Sequence, residues 1–245
     1  MSVFQRIQQQ YAAQSEAGTA KSRKQVLAEI EARTKEAEQS QSKRIYLAHR
    51  EQKMKNKIGR SGLGARHQDC SFENYEFPDP RQKRAWNLAK NYSLDPSTSS
   101  GFIFFGNSGT GKNHLAAAIA HNFMRSGRTA LVITVSELVS TINDTYTKQG
   151  KSEFDVINYY CNLGLLVLDE IGRNLGMSPK SLEREKALID EIVDRRSKLL
   201  KPTGFLSNLS IDGFKDYVGY RVVDRLSEDR PTICAFEWDS YRGRK

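Results

Sequence analysis

One stretch constrains the fold more than any other: residues 106–112 read Gly-Asn-Ser-Gly-Thr-Gly-Lys. An apolar run precedes it at residues 102–105, and an apolar-periodic stretch follows at residues 115–124. This order predicts a strand, a tight loop and a helix, which is the context of a phosphate-binding loop. Glycines let backbone N–H groups turn onto phosphate oxygens, and the helix directs its positive end at the same anion. The predicted nucleotide-binding residues are Gly106, Asn107, Ser108, Gly109, Thr110, Gly111 and Lys112.

The residue after the lysine departs from the usual pattern. A Ser or Thr normally stands there and offers a hydroxyl to Mg²⁺, whereas this chain has Asn113. The side-chain carbonyl of Asn113 can ligate Mg²⁺ directly or through a water, because hard cations accept amide oxygens. The alternative is a decayed loop that binds nucleotide weakly and hydrolyses nothing.

A second motif supplies the carboxylates that phosphoryl transfer needs. Residues 165–168 are apolar and predict a buried strand, which Asp169 and Glu170 follow directly. Ligands of open α/β sheets bind at the carboxyl ends of the strands. We expect Asp169 to hold Mg²⁺ through water and Glu170 to polarise the attacking water. Asn208 follows a later apolar strand and is expected at the same edge, near the γ-phosphate, although Asn is also common in turns.

Composition excludes several classes of protein. No run approaches about 18 uninterrupted apolar residues, so we expect no membrane span, and the N-terminus lacks the apolar core of a signal peptide. Cys70, Cys161 and Cys234 form no CxxC pair and predict reduced thiols in a cytoplasmic protein. His67 and Cys70 offer two metal ligands where a structural zinc site needs four, so an ordinary linker is favoured there.

The first quarter of the chain differs from the rest. Residues 1–60 hold thirteen Lys or Arg against six Glu, in a chain of net charge +9. Residues 1–57 contain no proline and have apolar residues at helical spacing. Their apolar stripes are too thin for a core, so we predict a helical arm that packs on a partner; a coiled coil and a partly disordered tail are the alternatives. Glycines and serine in residues 58–70 predict a flexible linker.

From residue 71 to residue 245 the pattern predicts one domain. Strands alternate with amphipathic helices, which indicates an α/β fold with a five-stranded parallel sheet covered on both faces. Too few residues follow the last strand for a C-terminal helical lid. The predicted strands are 102–105, 129–134, 165–168, 203–206 and 232–236. The predicted helices are 81–92, 112–126, 136–146 (capped by Ser136), 152–162, 181–200 and 212–226.

Several longer strings extend these motifs beyond the phosphate loop. They are Cys-Ser-Phe-Glu-Asn-Tyr at 70–75, Gly-Thr-Gly-Lys-Asn-His-Leu-Ala-Ala-Ala at 109–118, Asp-Glu-Ile-Gly at 169–172, Ile-Val-Asp-Arg-Arg at 192–196 and Trp-Asp-Ser-Tyr-Arg at 238–242. With these strings the core from about residue 60 to residue 242 closely resembles the DnaC-type bacterial and phage replicative helicase loaders. Asn113 itself matches a branch of that family.

The resemblance implies an AAA+ core that binds and hydrolyses ATP with Mg²⁺. It implies that Asn208 senses the γ-phosphate, that Arg225 acts in trans on a neighbouring subunit, and that Arg242 is a second phosphate sensor. It also implies that Asn113 and His114, within the matching loop string, belong to the nucleotide-binding residues, and that Phe72 and Tyr75 lie near the adenine.

The resemblance also implies two macromolecular partners. Residues 1–57 would grip a DnaB-type hexameric helicase, and Tyr146 with Lys148 would bind single-stranded DNA in a spiral assembly. An aromatic beside a cation suits single strands; packing at a helix end is the alternative for Tyr146. Two other functions share the core: an IstB-like transposition helper ATPase, and a non-hydrolysing DNA-binding adaptor.

Overall fold

The structure is a computed structural model of the chain. It describes residues 67–95, 98–146, 152–173, 176, 178–228 and 230–242, together with residues 32–36, 39 and 41 near the N-terminus. The chain divides into two compact units, Met1–Lys53 and Met54–Lys245. In the first unit, residues 32–36 are helical with exposed side chains. The predicted arm and linker lie almost wholly outside the described residues, so the predicted domain boundaries stay predictions.

The second unit contains the sheet that the sequence predicts. Five parallel strands pair in the order β2-β3-β4-β1-β5. Both faces of the sheet carry helices, so the α/β fold class is confirmed. The strands are β1 (Phe102–Gly106), β2 (Ala130–Thr134), β3 (Leu165–Ile171), β4 (Thr203–Ser207) and β5 (Thr232–Phe236).

The helices alternate with these strands along the chain. A single turn of 3-10 helix, Asp144–Tyr146, follows α3. Up to Arg242, the described chain contains no helix after β5. The helices are α1 (Pro80–Leu94), α2 (Lys112–Arg125), α3 (Val135–Asn143), α4 (Glu153–Asn162), α5 (Pro179–Lys198), α6 (Ile211–Val218) and α7 (Tyr220–Glu228).

Side-chain alternation along the strands divides the core into two layers. In β1, Phe102 and Phe104 belong to the cluster that α1 and α2 cover. Ile103 and Phe105 belong to the cluster that α3 to α7 cover. The strands are apolar on both faces because both faces are buried. Among the described residues, no helix is long and apolar enough to cross a membrane.

Two local predictions were wrong. The third helix begins at Val135 and is capped by Thr134, and Ser136 lies inside the helix. The Thr134 side chain accepts from the backbone N–H of Glu137, and the Glu137 side chain accepts from the backbone N–H of Thr134. The predicted single helix at 212–226 is two helices, because Gly219 takes φ 85° between α6 and α7. A positive φ suits glycine and ends the first helix.

A buried arginine ties α5 to the opposite end of the sheet from the glycine loop. Arg196 has no exposed surface. Its guanidinium donates to the carbonyls of Tyr160, Leu163 and Pro202 and to Oγ1 of Thr203. It therefore satisfies carbonyls at the end of α4 and at the start of β4. Burial lowers the pKa of Arg196 to about 10. All of its acceptors are neutral, so its role is structural: it holds the end of α4 to the start of β4.

Candidate nucleotide-binding site

The glycine loop lies at the carboxyl edge of the sheet, beside a cavity of about 430 Å³. The loop connects β1 to α2, and the neighbouring strand ends of β3 and β4 contribute to the same cavity. Most of the residues predicted from the sequence meet there. Those that line the cavity are Ser108, Gly109, Thr110, Gly111, Lys112, Asn113, His114, Asp169, Glu170, Asn208 and Arg242.

Two glycines of the loop are required by its geometry. Gly109 has φ 76° and Gly111 has φ 96°, a region that side chains disfavour. A Cβ on Gly109 would stand 2.1 Å from Oγ of Ser240, and one on Gly111 would stand 2.8 Å from the Tyr75 ring. The glycines therefore allow the loop to pass close to two other segments and to end at the N-terminus of α2.

The side chain of Lys112 folds onto the backbone of its own loop. Its Nζ donates to the carbonyls of Gly106 at 2.7 Å and of Asn107 at 2.6 Å. The side chain is buried, and this burial lowers its pKa to about 8, against the opposing effect of nearby Asp169. Both carbonyl acceptors are neutral, so an incoming phosphate, which is negatively charged, has a strong electrostatic reason to engage the ammonium.

The unusual asparagine contacts the first carboxylate of the second motif. Nδ2 of Asn113 donates to Oδ2 of Asp169, and the backbone N–H of Glu170 donates to Oδ1 of Asp169 at 2.6 Å. Burial raises the pKa of Asp169, and these two hydrogen bonds oppose that rise. A carboxylate and an amide oxygen beside a phosphate loop fit Mg²⁺, which takes one or two protein oxygens together with phosphates and water.

Glu170 has an uncommon backbone. Its φ is +60°, and its carboxylate accepts from Nη1 of Arg173. Sequence reasoning missed this arginine, because only the turn after β3 brings it back to the carboxylate.

Ser207, at the end of β4, donates to the carbonyl of Ile171 at 2.8 Å and accepts from the N–H of Leu209 at 3.1 Å. Ser207 thus fixes the strand exit that places Asn208 at the cavity.

The segment after β5 braces the loop from one side. Nε1 of Trp238 donates to the carbonyl of Thr110 at 3.0 Å. The N–H of Tyr241 donates to the carbonyl of Gly109 at 2.8 Å. Sequence reasoning assigned only Arg242 of this segment to the site. Trp238 was in a recognised string, but nothing in the string says that its indole reaches the loop.

The segment before α1 closes the cavity from another side. Oη of Tyr75 donates to the carbonyl of Thr110 at 3.4 Å, and Nε2 of His114 lies 2.9 Å from the carbonyl of Ser71. Tyr75 lines the cavity; its proximity to the base stays a prediction. Phe72 does not: it is buried in the core, edge-on to Trp86. His114 thus also joins α2 to this segment.

Two predicted residues, Arg225 and Tyr146, lie away from the glycine loop. Arg225 is on α7, where it pairs with Asp194 at 3.0 Å and with Glu228 at 3.4 Å. It does not line its own chain's cavity. Tyr146 ends the 3-10 turn, with 65% of its surface exposed. Lys148 lies outside the described residues.

A phosphate loop, an Asp-Glu pair ending β3 and a polar residue ending β4 define an ATP-binding protein of the AAA+ class, an ATPase class. The chain belongs to the family of IstB-like ATP-binding proteins, whose model matches residues 14–244.

Named relatives and solved structures agree with that assignment. The chain is 40% identical to the replicative helicase loader DnaC of Escherichia coli K12, over 88% of this chain and 86% of that protein. It is 38% identical to the DnaC of Buchnera aphidicola subsp. Schizaphis graminum, over 82% of this chain and 80% of that one. The crystal structure of a DnaC helicase loader matches with a TM-score of 0.61 and 21% identity, over 71% of this chain and all of the other.

A solved replication initiator shares the fold as well. DnaA bound to AMPPCP and single-stranded DNA matches with a TM-score of 0.58 and 21% identity, over 72% of this chain and 51% of that one. At such identity the two solved structures support the fold alone.

Proposed function

We propose that this chain is an ATP-dependent loader of a DnaB-type replicative helicase. One observation carries the proposal: Lys112, Asp169, Glu170 and Asn208 meet at one cavity, in a chain that is 40% identical to a named replicative helicase loader over 88% of its length. Loading during replication requires ATP binding, self-assembly, contact with the helicase and contact with single-stranded DNA.

The residues at the cavity support ATP hydrolysis, which we expect to be slow. Asp169 and Asn113 would hold Mg²⁺, which would supply neutralisation of phosphate charge when bound. Glu170 accepts the proton of the attacking water, and Asn208 orients that water or the γ-phosphate from the neighbouring strand. Lys112 leaves the loop carbonyls to bind phosphate oxygens, and Arg242 reaches the same phosphates from the C-terminal segment.

Arg225 completes the site of a second copy. Its side chain is 39% exposed and lies outside its own chain's cavity. An arginine donated across a subunit boundary stabilises charge in the transition state by a large factor. Asp194 and Glu228 hold the guanidinium until the neighbouring nucleotide replaces them.

The exposed Tyr146 ring, followed by Lys148, binds single-stranded DNA and raises ATP turnover. Its hydroxyl donates to Glu153 and accepts from Nη2 of Arg184 at 3.0 Å. A ring that is exposed but fixed at its far end suits base stacking.

The test is capture of the partner by the full-length chain. Immobilised protein with ATP is expected to retain a purified DnaB-type hexamer from its own host, and a variant lacking residues 1–55 is expected to bind ATP but not the hexamer. Retention of the hexamer by the truncated variant would show that the arm is not the contact. Failure of the full-length chain to retain it would refute the loader.

The transposition helper remains the second candidate, because the family model is that of IstB-like proteins. The same experiment distinguishes it: a helper retains a transposase and not the helicase hexamer. The non-hydrolysing adaptor is tested separately by ATP turnover in wild type and in Glu170→Gln. Equal, background-level rates in the two proteins would support the adaptor.

A further inference from the structure

The carboxylate proposed as the base is already paired inside its own chain. Nη1 of Arg173 donates to Oε1 of Glu170, and the backbone N–H of Arg173 donates to the Glu170 carbonyl at 3.1 Å. The Arg173 side chain is 67% exposed, and that of Glu170 is 32% exposed. Arg173, three residues after Glu170 in the same turn, therefore holds the carboxylate from the solvent side of the cavity.

The turn itself is fixed by its neighbours. Glu170 takes φ +60° and Gly172 takes φ +82°, and a Cβ on Gly172 would stand 2.4 Å from Cδ1 of Leu209. The turn after β3 therefore packs closely on the turn after β4, next to Asn208. Because the two turns are closely packed, the pair is expected to open by rotation of the Arg173 or the Glu170 side chain.

This pairing opposes catalysis. A general base must present a free carboxylate oxygen within hydrogen-bond reach of the water that it deprotonates. In the pair with Arg173, Oε1 of Glu170 is occupied and its negative charge is partly neutralised. The hydrogen bond engages Oε1 and leaves Oε2 open, so the pair does not block proton transfer outright; it lowers the basicity of the carboxylate and holds its direction.

We propose that Arg173 is a positioning residue that restrains Glu170 in the resting subunit and slows ATP hydrolysis until the pair opens. The inference rests on the proposed ATPase function, to which it adds a control point. Because both side chains are partly exposed, the restraint is weak and is screened by salt. It slows the chemical step and leaves ATP binding alone, since Arg173 does not line the cavity.

The experiment compares steady-state ATP turnover in wild type, Arg173→Ala and Arg173→Lys at one protein concentration. At low salt, the kcat of Arg173→Ala is expected to exceed that of wild type about two- to fivefold, with KM for ATP unchanged. Arg173→Lys keeps the charge without the planar fork, so its kcat is expected to lie between them.

Salt gives a readout that a structural role would not move. The ratio of kcat in Arg173→Ala to kcat in wild type is expected to approach one as ionic strength rises from about 0.05 M to about 0.5 M. Lys215→Ala removes another exposed ion pair, that with Asp212 at 3.5 Å, away from the cavity. This control is expected to match wild type at every salt concentration.

Two outcomes overturn the inference in distinguishable ways. If Arg173→Ala turns over no faster than wild type at low salt while both exceed Glu170→Gln, the arginine orients the base or is idle, and the restraint is refuted although hydrolysis stands. If none of the variants exceeds Glu170→Gln, hydrolysis itself is refuted and the restraint with it.

Discussion

Asn113 donates its side-chain amide to Oδ2 of Asp169 at 2.5 Å. The residue that departs from the usual phosphate-loop pattern thus contacts the first carboxylate of the second motif. The hydroxyl that normally occupies this position serves Mg²⁺. The carboxamide has both an N–H group for Asp169 and an oxygen for the cation, so one side chain joins the two motifs.

Removal of this amide is expected to weaken the Mg²⁺ dependence of ATP binding. Asn113→Ala leaves Asp169 without one of its donors, and we expect about a tenfold higher Mg²⁺ requirement, as for other partners that orient metal ligands. Asn113→Ser restores the usual hydroxyl and is expected to lie close to wild type. Nucleotide titration at several Mg²⁺ concentrations measures the effect; identical Mg²⁺ curves for all three proteins would contradict it.

ATP binding is expected to weaken above pH 8. Burial lowers the pKa of Lys112 to about 8, so the free protein loses the ammonium as the pH rises through that value, whereas a bound triphosphate favours the charged form. The apparent Kd for ATP should then rise by up to about tenfold per pH unit. Lys112→Arg stays charged and should show a flat profile, and Lys112→Ala should lose saturable binding. A flat profile in wild type would show that Lys112 is charged throughout.

The indole of Trp238 is expected to set the shape of the loop. Trp238→Phe keeps an aromatic ring but removes the bond to the Thr110 carbonyl, 3.0 Å long, and should cost about 1 kcal/mol of stability together with a few-fold loss of ATP affinity. Tyr92→Phe removes a hydrogen bond from a buried aromatic side chain, that from Oη of Tyr92 to the Ser100 carbonyl at 2.7 Å, away from the cavity. It should lower stability by a similar amount and spare ATP affinity. Equal losses of affinity in both variants would mean that general destabilisation is responsible.

Local sequence patterns predicted the strands and most helices of this fold, because each strand is a short apolar run between loops. The strand order depends on pairing between distant segments, which no local pattern contains. Residues 212–226 were predicted to form a single helix because their apolar spacing continues past Gly219. That glycine was a visible signal, and it ends α6 with φ 85°.

The sequence predicted the motifs of the candidate site but not the contacts that hold those motifs in place. Lys112, Asp169 and Asn208 follow apolar strands, so their common edge could be inferred from the parallel sheet. The contacts of Trp238 with Thr110 and of Arg173 with Glu170 depend on how turns approach one another. Sequence position alone does not determine such approaches.

Arg196 is expected to be required for stability. Arg196→Met fills similar space but removes the guanidinium that donates to the carbonyls of Tyr160, Leu163 and Pro202, of which Pro202 keeps a long bond from the N–H of Leu166. Buried acceptors that lose this donor should cost about 3 kcal/mol in total, and hence about 6–12 °C in Tm. Thermal unfolding measures this. Arg195→Ala, at a partly exposed neighbour, should change stability by less than about 1 kcal/mol. Equal effects of the two substitutions would contradict the structural role of Arg196.

Single-stranded DNA binding is expected to depend on the ring of Tyr146 and, less strongly, on its hydroxyl. Tyr146→Ala removes the stacking face and should weaken binding about tenfold. Tyr146→Phe keeps the ring but loses the bonds to Glu153 and Arg184. A freer ring should cost about twofold in affinity. Tyr159→Ala removes another exposed tyrosine, one that packs on Tyr160, and serves as the control. Titration of labelled oligonucleotide gives the affinities; equal losses for Tyr146→Ala and Tyr159→Ala would place the DNA elsewhere.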